Sequence, residues 1–177
     1  MRGIVTQSRL FFALLPEPEL AGQLYEFSRS IKTRPGESVT KVDMIHMTLR
    51  YIGSVSSEIR QCLISYSDAL LASPFKIQLN KIGCWKKPKV IWCGPAMAGE
   101  DLLGLVEKLE IICQKCDIKA ESRSFKPHVT LLRGADYLRD VRLPELLLWQ
   151  VNYLVLMESV THKAGVKYQV IKSWSLI

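Results

Sequence analysis

No stretch of this 177-residue sequence approaches the ~18 to 20 uninterrupted apolar residues that a membrane-spanning helix requires. The apolar run near the start, residues 10–15, stops at Pro16 and is too short for the core of a signal peptide. Charged residues make up only 23% of the chain and hydrophobic residues 48%, a balance that argues against long disordered tails. We therefore expect a cytoplasmic protein in which residues 1–177 form a single domain.

Cysteine is sparse and odd in number, with five residues at positions 62, 84, 93, 113 and 116. An odd count without an export signal argues against a complete disulfide framework, so we expect reduced thiols. The spacing Cys113-x-x-Cys116 could form half of a zinc site or a redox pair. No second pair follows it, and the spacing continues a helical apolar face, which favours core packing.

Positive charge exceeds negative charge moderately, because 24 Lys and Arg oppose 17 Asp and Glu for a formal net charge of +7. This excess contains no long basic run. It suits an anionic ligand such as a nucleotide or an RNA end, although solubility alone would explain it equally well.

Three segments space their apolar residues by three and four, as amphipathic helices do. These sets are Leu20, Leu24, Phe27 and Ile31; Ile59, Leu63, Tyr66 and Leu70; and Leu102, Val106, Leu109, Cys113 and Cys116. Segments rich in β-branched and aromatic residues predict strands at 9–14, 44–52, 75–82, 90–93, 128–132, 152–158 and 166–171. This order predicts an α+β fold with antiparallel sheet and the helices packed outside it.

The two halves of the chain repeat one arrangement. Each half has a strand, a helix and then a strand carrying His-x-Thr-Leu, first at His46 and Thr48 and again at His128 and Thr130. The chain has only three histidines, and chance is a poor explanation for finding two of them in the same sequence context. The repeat predicts two similar lobes that face each other.

The motif residues should lie on a polar strand face above an apolar one. Strict alternation puts Arg50 on the face of His46 and Thr48, and Tyr51 on the opposite face. The second motif likewise puts its histidine and threonine on one face. If the two strands are close together, two imidazoles and two hydroxyls converge on one volume.

This set of groups suits displacement at a phosphodiester. A neutral imidazole can take a proton from water while an imidazolium protonates the leaving oxygen, because the ordinary histidine pKa near 6.5 lets both forms coexist. Threonine hydroxyls can hold phosphate oxygens for in-line attack. No metal or other cofactor is required.

Taken together, the chain resembles the two-histidine (2H) phosphoesterase superfamily, and within it the RNA 2′,3′-cyclic phosphodiesterases, also known as 2′-5′ RNA ligases. The resemblance rests on residues 9–14, the two His-x-Thr-Leu motifs, Val90-Ile91-Trp92, Lys126-Pro127, Arg133 and residues 168–174. It implies a LigT-like, bilobal, pseudo-two-fold α+β fold, with two antiparallel sheets forming a central cleft.

The implied activity is hydrolysis of an RNA 2′,3′-cyclic phosphate to a 2′-phosphate by a monomer, with 2′-5′ ligation as the reverse reaction. The resemblance assigns His46 as proton donor, His128 as proton acceptor, and Thr48, Thr130 and Arg133 as phosphate-binding residues. The family tends to have Asn-Leu before the first histidine, whereas Met44-Ile45 stands here.

Two other functions remain open. Another 2H reaction, on ADP-ribose 1″,2″-cyclic phosphate or 2′-5′ oligonucleotides, would use the same residues. A binding module for nucleotides or RNA ends would hold phosphate without turnover, although pure binding needs cations more than a paired acid and base.

Four further features are ambiguous in the sequence. Strict alternation puts Arg133 on the face opposite His128, so it reaches the phosphate only if the strand bends or ends first. The segment Trp85-Lys86-Lys87-Pro88-Lys89 is either an RNA-contacting loop or a solvated turn. Tyr168 fits the cleft border and the core equally well. The third histidine, His162, lies in a turn-like stretch and lacks the motif.

Overall fold

The computed structural model describes residues 8–31, 33–138, 140–143, 147–162 and 165–177. Within these residues the helices are α1 (Pro18–Ser30), α2 (Ser57–Ser67) and α3 (Glu100–Lys115), with a short 3₁₀ helix at Val42–Met44. The strands are β1 (Ser8–Leu14), β2 (Ser38–Val39), β3 (Met47–Gly53), β4 (Phe75–Leu79), β5 (Lys81–Trp85), β6 (Val90–Gly94), β7 (Val129–Arg133), β8 (Leu147–Val151), β9 (Tyr153–His162) and β10 (Gly165–Ser175).

The three helices predicted from the spacing of apolar residues are present. The residues at the start of each helix explain where it begins. Pro18 opens α1, where its missing N–H costs nothing. The Ser56 side chain caps α2 by accepting a hydrogen bond from the backbone N–H of Ile59 at 3.4 Å. Glu100 and Asp101 place negative charge in the first turn of α3.

Every predicted strand is present, although several ends shift, and Met44, expected at the start of a strand, lies in the 3₁₀ helix. Three further differences concern the number of strands. The segment predicted at 75–82 divides at Asn80, whose backbone N–H bonds Gly94 while its side chain accepts from Ala96. The sequence analysis missed β8, although Leu147, Trp149 and Val151 alternate with exposed residues. It also missed the two-residue strand β2.

The strands form a large antiparallel sheet in the order β10-β9-β1-β3-β7-β6-β5, with β2 added against β7, and a second sheet of β4 and β8. At its centre β3 and β7 meet in a single residue pair, Met47 opposite Val129. These two residues occupy the same place in the two His-x-Thr-Leu motifs. A pseudo-two-fold axis through this pair relates β1-α1-β3 to β6-α3-β7, as the repeat predicts.

Each motif strand carries a β-bulge at its motif leucine. Along β1, Phe12 pairs with Arg50 and Ala13 with Thr48, so Leu49 is the extra residue. Along β6, Ile91 pairs with Leu132 and Trp92 with Thr130, so Leu131 is the extra residue. A bulge shifts the alternation by one residue, so every side chain beyond it changes face.

The bulge at Leu49 makes the predicted facing of Arg50 and Tyr51 wrong. Arg50 is turned beneath the sheet, where it is only 7% exposed, and Tyr51 faces the cleft. The same shift in β7 brings Arg133 onto the face of Thr130. Strict alternation alone would put Arg50 in the cleft and Arg133 on the opposite face.

The main hydrophobic core lies between the sheets and the helices. It receives Leu10, Phe12 and Leu14 from β1 and the apolar stripes of all three helices. The opposite face of β1 is also apolar, because Phe11 and Ala13 pack with Val155 and Met157 of β9. Apolar packing on both faces leaves β1 buried on each side.

Two cysteines contradict the expectation of reduced thiols. Cys62 of α2 forms a disulfide with Cys116, the C-cap residue of α3, across 54 residues of sequence. The two helices pack together and bring these Cα atoms within 5.8 Å, a relationship that spacing along the chain does not reveal. Cys113 is a buried free thiol, in agreement with core packing.

Within the described part of the chain, no helix is both long and apolar enough to cross a membrane.

Candidate active site

The four motif side chains converge at the pair that joins the two lobes. Because Met47 and Val129 are directly opposed in an antiparallel pair, the flanking positions bring His46 opposite Thr130 and Thr48 opposite His128. All four occupy the face opposite the buried Met47 and Val129. The two lobes thus supply one imidazole and one hydroxyl each to the same volume.

Both imidazoles are held in the same way. Nδ1 of His46 lies 2.7 Å from the carbonyl oxygen of Met44, and Nδ1 of His128 lies 2.7 Å from that of Lys126. A carbonyl can only accept, so each Nδ1 carries a proton and donates it. Nε2 of each ring is therefore the nitrogen that remains available to exchange protons with a substrate.

Burial lowers the pKa of both histidines below its ordinary value. The Nδ1 hydrogen bonds oppose this shift, whereas the positive charge of Arg133 lowers both pKa values further. His128 adds to the lowering at His46. The two imidazoles and the guanidinium therefore share one electrostatic environment, which favours neutral imidazoles when no anion is bound.

Aromatic rings enclose each imidazole. Phe11 and Tyr168 lie against His46, with ring centroids 5.2 and 5.1 Å away, and Tyr168 meets the imidazole edge-on at 86°. Tyr168 thus borders the cleft. At the other motif Trp85 meets His128 at 4.5 Å and 74°, again edge-on. These rings supply the burial that lowers the histidine pKa values.

A second tryptophan packs against Trp85, the residue whose ring contacts His128. Trp92 lies 5.0 Å from Trp85, with an angle of 33° between the rings. Its ring occupies the space above Gly83, where an added Cβ would come within 2.4 Å of it. Glycine at this position is therefore required by the close approach of the indole.

A groove leads away from the motif residues between β3 and the segment before β7. We call it the β3 groove, and its volume is about 610 Å³. It starts at Thr48 and His128, and its rim includes Tyr51, Arg123, Phe125 and Lys126. Its size falls in the range of about 300–1,000 Å³ that is typical of small-molecule sites.

A partly buried ion pair lies beneath this groove. Arg50 Nε donates to Glu110 Oε2 of α3 at 2.6 Å, and its other nitrogens donate to the carbonyls of Tyr51 and Lys119 at 2.6 and 2.7 Å. Burial alone would raise the pKa of Glu110. Hydrogen bonds from Arg50, Gln114 and the backbone of Glu121 outweigh it and lower that pKa.

The lysine-rich hairpin between β5 and β6 stands at the edge of the cleft beyond Trp85. Lys86, Lys87 and Lys89 are exposed. Lys89 Nζ lies 3.8 Å from a carboxylate oxygen of Asp136. The sequence reading of this segment as a turn is confirmed, and its contact with RNA stays a prediction.

The sequence analysis missed Phe11 and Tyr51 as cleft residues. The available signal for Phe11 was that β1 has apolar residues on both faces, because this implies that other parts of the protein cover each face. For Tyr51 no local signal exists, because the bulge at Leu49 is visible only in the pairing with β1. The side chain of His162, at the end of β9, lies outside the described residues.

The described residues contain no cluster of three or more His, Cys, Asp or Glu side chains that could hold a metal ion.

Comparison with known proteins shows which proteins this chain resembles. A family model described as LigT like Phosphoesterase matches residues 14–92. The chain is 25% identical over 169 residues to the RNA 2′,3′-cyclic phosphodiesterase of Escherichia coli strain K12, covering 95% of this chain and 96% of the relative. It is 28% identical over 148 residues to the enzyme of the same name from Aquifex aeolicus strain VF5, covering 75% and 78%.

Solved structures agree across the whole chain. The crystal structure of E. coli LigT complexed with 3′-AMP matches with a TM-score of 0.88 at 25% identity, covering 97% of this chain and 98% of that one. The structure of TT0787 from Thermus thermophilus matches with a TM-score of 0.77 at 26% identity, covering 95% and 97%. The bilobal, pseudo-two-fold fold with a central cleft is that of a phosphoesterase. The chain is similar to LigT-like phosphoesterases in sequence and in fold, and it is an enzyme.

Proposed function

We propose that this enzyme hydrolyses the 2′,3′-cyclic phosphate at the end of an RNA chain to a 2′-phosphate. The observation that carries the proposal is the matched pair of imidazoles, each fixed through Nδ1 and opposite the other motif's threonine. Relatives named RNA 2′,3′-cyclic phosphodiesterase and a LigT structure holding 3′-AMP support the same substrate class.

The reaction is a displacement at phosphorus. Nε2 of neutral His128 takes a proton from water while the water oxygen bonds to phosphorus. The bond from phosphorus to O3′ breaks, and Nε2 of protonated His46 gives its proton to O3′. The products are a 2′-phosphomonoester and a free 3′-hydroxyl. Proton exchange with solvent then returns both histidines to their starting forms. If the 5′-hydroxyl of a second RNA attacks phosphorus in place of water, the same proton transfers form a 2′-5′ phosphodiester bond and release the 3′-hydroxyl.

Three side chains bind the phosphate in this proposal. The hydroxyls of Thr48 and Thr130 donate to its non-bridging oxygens and hold phosphorus in line with the attacking water. The Arg133 guanidinium stabilises the negative charge that develops in the transition state. The bulge at Leu131, which brings Arg133 to the face of Thr130, supports this role.

The lowered pKa values favour the neutral form of each histidine, and this form suits the role of base better than that of acid. A neutral His128 is ready to accept a proton at neutral pH. His46 becomes an effective acid when the anionic phosphate binds, because a nearby negative charge raises the pKa of an imidazole. Substrate binding therefore prepares the acid.

The test uses the purified protein in EDTA with a short RNA ending in a 2′,3′-cyclic phosphate, followed by separation of 2′- and 3′-phosphate products. We expect 2′-phosphate alone, which also shows that no metal is needed. Exclusive 3′-phosphate would reverse the placement of the sugar and overturn the assignment of His46 as the acid. Absence of product would overturn the proposed substrate.

We assign the activity to a monomer, since one chain supplies every group of the proposed site, and we place it in the cytoplasm, as the sequence analysis expects. The Cys62–Cys116 disulfide is a bond more typical of oxidising compartments. Cell fractionation with detection of this bond in each fraction would test the location.

A further inference from the structure

The Cys62–Cys116 disulfide lies where α3 ends and the chain turns toward His128. Cys116 is the C-cap residue of α3, and residues 118–128, which we call the α3–β7 segment, follow it without a helix or strand. In the cytoplasm, where we place this enzyme, disulfides are rare and usually serve catalysis or redox sensing. The proposed reaction uses no thiol, which favours redox sensing as the function of this bond.

The end of α3 is a turn that suits glycine better than the residue it contains. The backbone N–H of Ile118 donates to the carbonyl of Cys113 at 3.0 Å, and that of Asp117 donates to the carbonyl of Gln114 at 3.1 Å. This pair of bonds is a Schellman motif, in which the residue after the C-cap adopts left-handed backbone angles. Here that residue is Asp117, with a φ of 58°, where a Cβ is unfavourable. The turn therefore depends on other contacts, and the disulfide at the preceding residue supplies one.

The first attachments of the α3–β7 segment lead back to α3. The carboxylate of Glu110, on α3, accepts the backbone N–H of Glu121 at 3.1 Å. Arg50, which is bonded to the same carboxylate, donates to the carbonyl of Lys119 at 2.7 Å. The position of the segment therefore depends on the position of the last turns of α3.

The other end of the α3–β7 segment meets the active site. The carbonyl of Lys126 accepts the Nδ1 proton of His128 at 2.7 Å. Arg123, Phe125 and Lys126 line the β3 groove. A displacement of this segment would therefore change both the orientation of one imidazole and the shape of the groove.

We propose that the Cys62–Cys116 disulfide is a redox-modification site, at which a dithiol reductant opens the bond, loosens the end of α3 and lowers activity through the α3–β7 segment. The inference rests on the proposed function and adds a regulator to it. The oxidised enzyme is the more active form, because the bond keeps the turn at Asp117 and the wall of the groove in place.

Reduction takes two thiol–disulfide exchanges. A thiolate of the dithiol attacks Sγ of Cys62, which is partly exposed, whereas Cys116 is only 3% exposed. The bond between the two cysteine sulfurs breaks, and Cys116 leaves as a thiolate that takes a proton from solvent. The second thiol of the reductant loses its proton to solvent, attacks the mixed disulfide and releases Cys62, which is protonated in turn. The reductant is oxidised to a disulfide, and its two electrons reduce the protein bond.

The nearby thiol of Cys113 stays outside this exchange. It lies in the last turn of α3 and is completely buried, and burial raises its pKa to about 11. Exchange needs a thiolate, which this cysteine does not form at neutral pH. Reduction and reoxidation therefore involve the same two cysteines.

The first experiment measures kcat/KM on an RNA cyclic phosphate before and after treatment with dithiothreitol, a small dithiol. We expect reduction to lower kcat/KM of the wild type about 5- to 20-fold, within the usual range of coupling between two sites. Cys62→Ser/Cys116→Ser should have the activity of the reduced enzyme and should not respond to dithiothreitol. Cys84→Ser, at a partly exposed free thiol, should respond like the wild type. Equal activity of the oxidised and reduced wild type would overturn the proposal.

Hydrogen exchange distinguishes a local change from a general loss of stability. On reduction the amide protons of Asp117, Ile118 and Glu121, each hydrogen-bonded in the oxidised form, should exchange about tenfold faster or more. The amide protons of β9 and β10 should change little. A uniform increase over the whole chain would show that the disulfide is only a stabilising cross-link, which would overturn the redox site.

The turn after α3 offers a matched pair of variants. Asp117→Gly and Asp117→Ala both remove one negative charge, but only glycine favours the left-handed backbone of this position. Asp117→Gly should therefore lessen the loss of activity on reduction, and Asp117→Ala should increase it. An equal response of both variants would overturn the turn as the connection between the disulfide and the active site.

Binding without turnover separates this inference from the proposed function. Calorimetry measures the Kd of a nucleoside 2′-monophosphate for the oxidised and the reduced wild type. If no cyclic phosphate is turned over but reduction weakens the binding of this nucleotide, the redox site stands and the proposed reaction fails. If turnover is normal and neither turnover nor Kd differs between the two forms, the reaction stands and the redox site fails.

Discussion

Met47 pairs with Val129 across the pseudo-two-fold axis, and in the described part of the sheet this is the one residue pair between β3 and β7. Beyond it the strands separate, which opens the β3 groove on one side. Because each residue stands between its motif histidine and threonine, a single contact sets the arrangement of all four side chains. The site is thus built at the junction of two lobes rather than within either one.

The two histidines should be individually essential. His46→Ala and His128→Ala should each lower kcat about 10²- to 10⁴-fold on an RNA cyclic phosphate, because each removes a general acid or base. Circular dichroism should show an unchanged fold. His162→Ala serves as the control, and near-normal turnover by both motif variants would reject the mechanism.

Replacing Arg133 should change both the rate and its pH dependence. Arg133→Gln should lower kcat/KM about 10²- to 10³-fold, as loss of a donor to transition-state charge does in other enzymes. The positive charge of Arg133 lowers the pKa of both histidines, so its removal should raise both values. Both limbs of the kcat/KM profile should therefore move to higher pH.

A matched variant controls for net charge. Lys89→Gln also removes one positive charge from the cleft side of the second lobe, at a residue that pairs with Asp136. Its pH profile should match that of the wild type. An equal shift in both variants would mean that Arg133 acts only through the overall charge.

The disulfide between α2 and α3 should contribute substantially to stability. A cross-link across 54 residues restricts the unfolded chain and is worth about 4 kcal/mol in the chain-entropy model. Cys62→Ser/Cys116→Ser should lower the free energy of unfolding by up to this amount in a denaturant titration. Reductant should destabilise the wild type similarly and leave the double variant unchanged; insensitivity of the wild type would show that the bond adds nothing.

The ion pair beneath the β3 groove gives a prediction for stability at acid pH. Arg50→Met leaves the partly buried carboxylate of Glu110 without its main partner and should lower the free energy of unfolding by about 1 to 3 kcal/mol. Folding lowers the pKa of Glu110, so its stabilising effect is present at neutral pH and is lost as pH falls through the lowered value.

Denaturant titrations at several pH values test this. The difference in unfolding free energy between wild type and Arg50→Met should shrink below about pH 4. A constant difference would assign the loss to packing of the arginine side chain alone.

Local patterns predicted the helices, most strands and the two motifs, because these depend on spacing within a few residues. They could not predict what depends on a distant partner. Leu49 and Leu131 fit a regular strand until their pairing with β1 and β6 is known. Alternation assigned Arg50 to the cleft because the bulge at Leu49 is invisible to a local pattern, and so is its acidic partner Glu110, 60 residues away.

The cysteines show the same limit. Their count and spacing argue for free thiols, yet Cys62 meets Cys116 only after α2 and α3 have packed together. The sequence also left open which face of β7 Arg133 occupies. The position of a bulge depends on the pairing with the neighbouring strand, which the sequence of β7 alone does not show.

The bulges also determine which genetic changes the cleft can tolerate. Each is a single residue and therefore a single codon. Deleting the codon of Leu131 would remove the extra residue, and Thr130, Leu132 and Arg133 would then alternate regularly on the faces they already occupy. Deleting the codon of Leu49 would likewise leave Arg50 beneath the sheet and Tyr51 in the cleft. Along these two strands, the bulge leucines are therefore positions at which a one-codon deletion turns no other side chain to the opposite face.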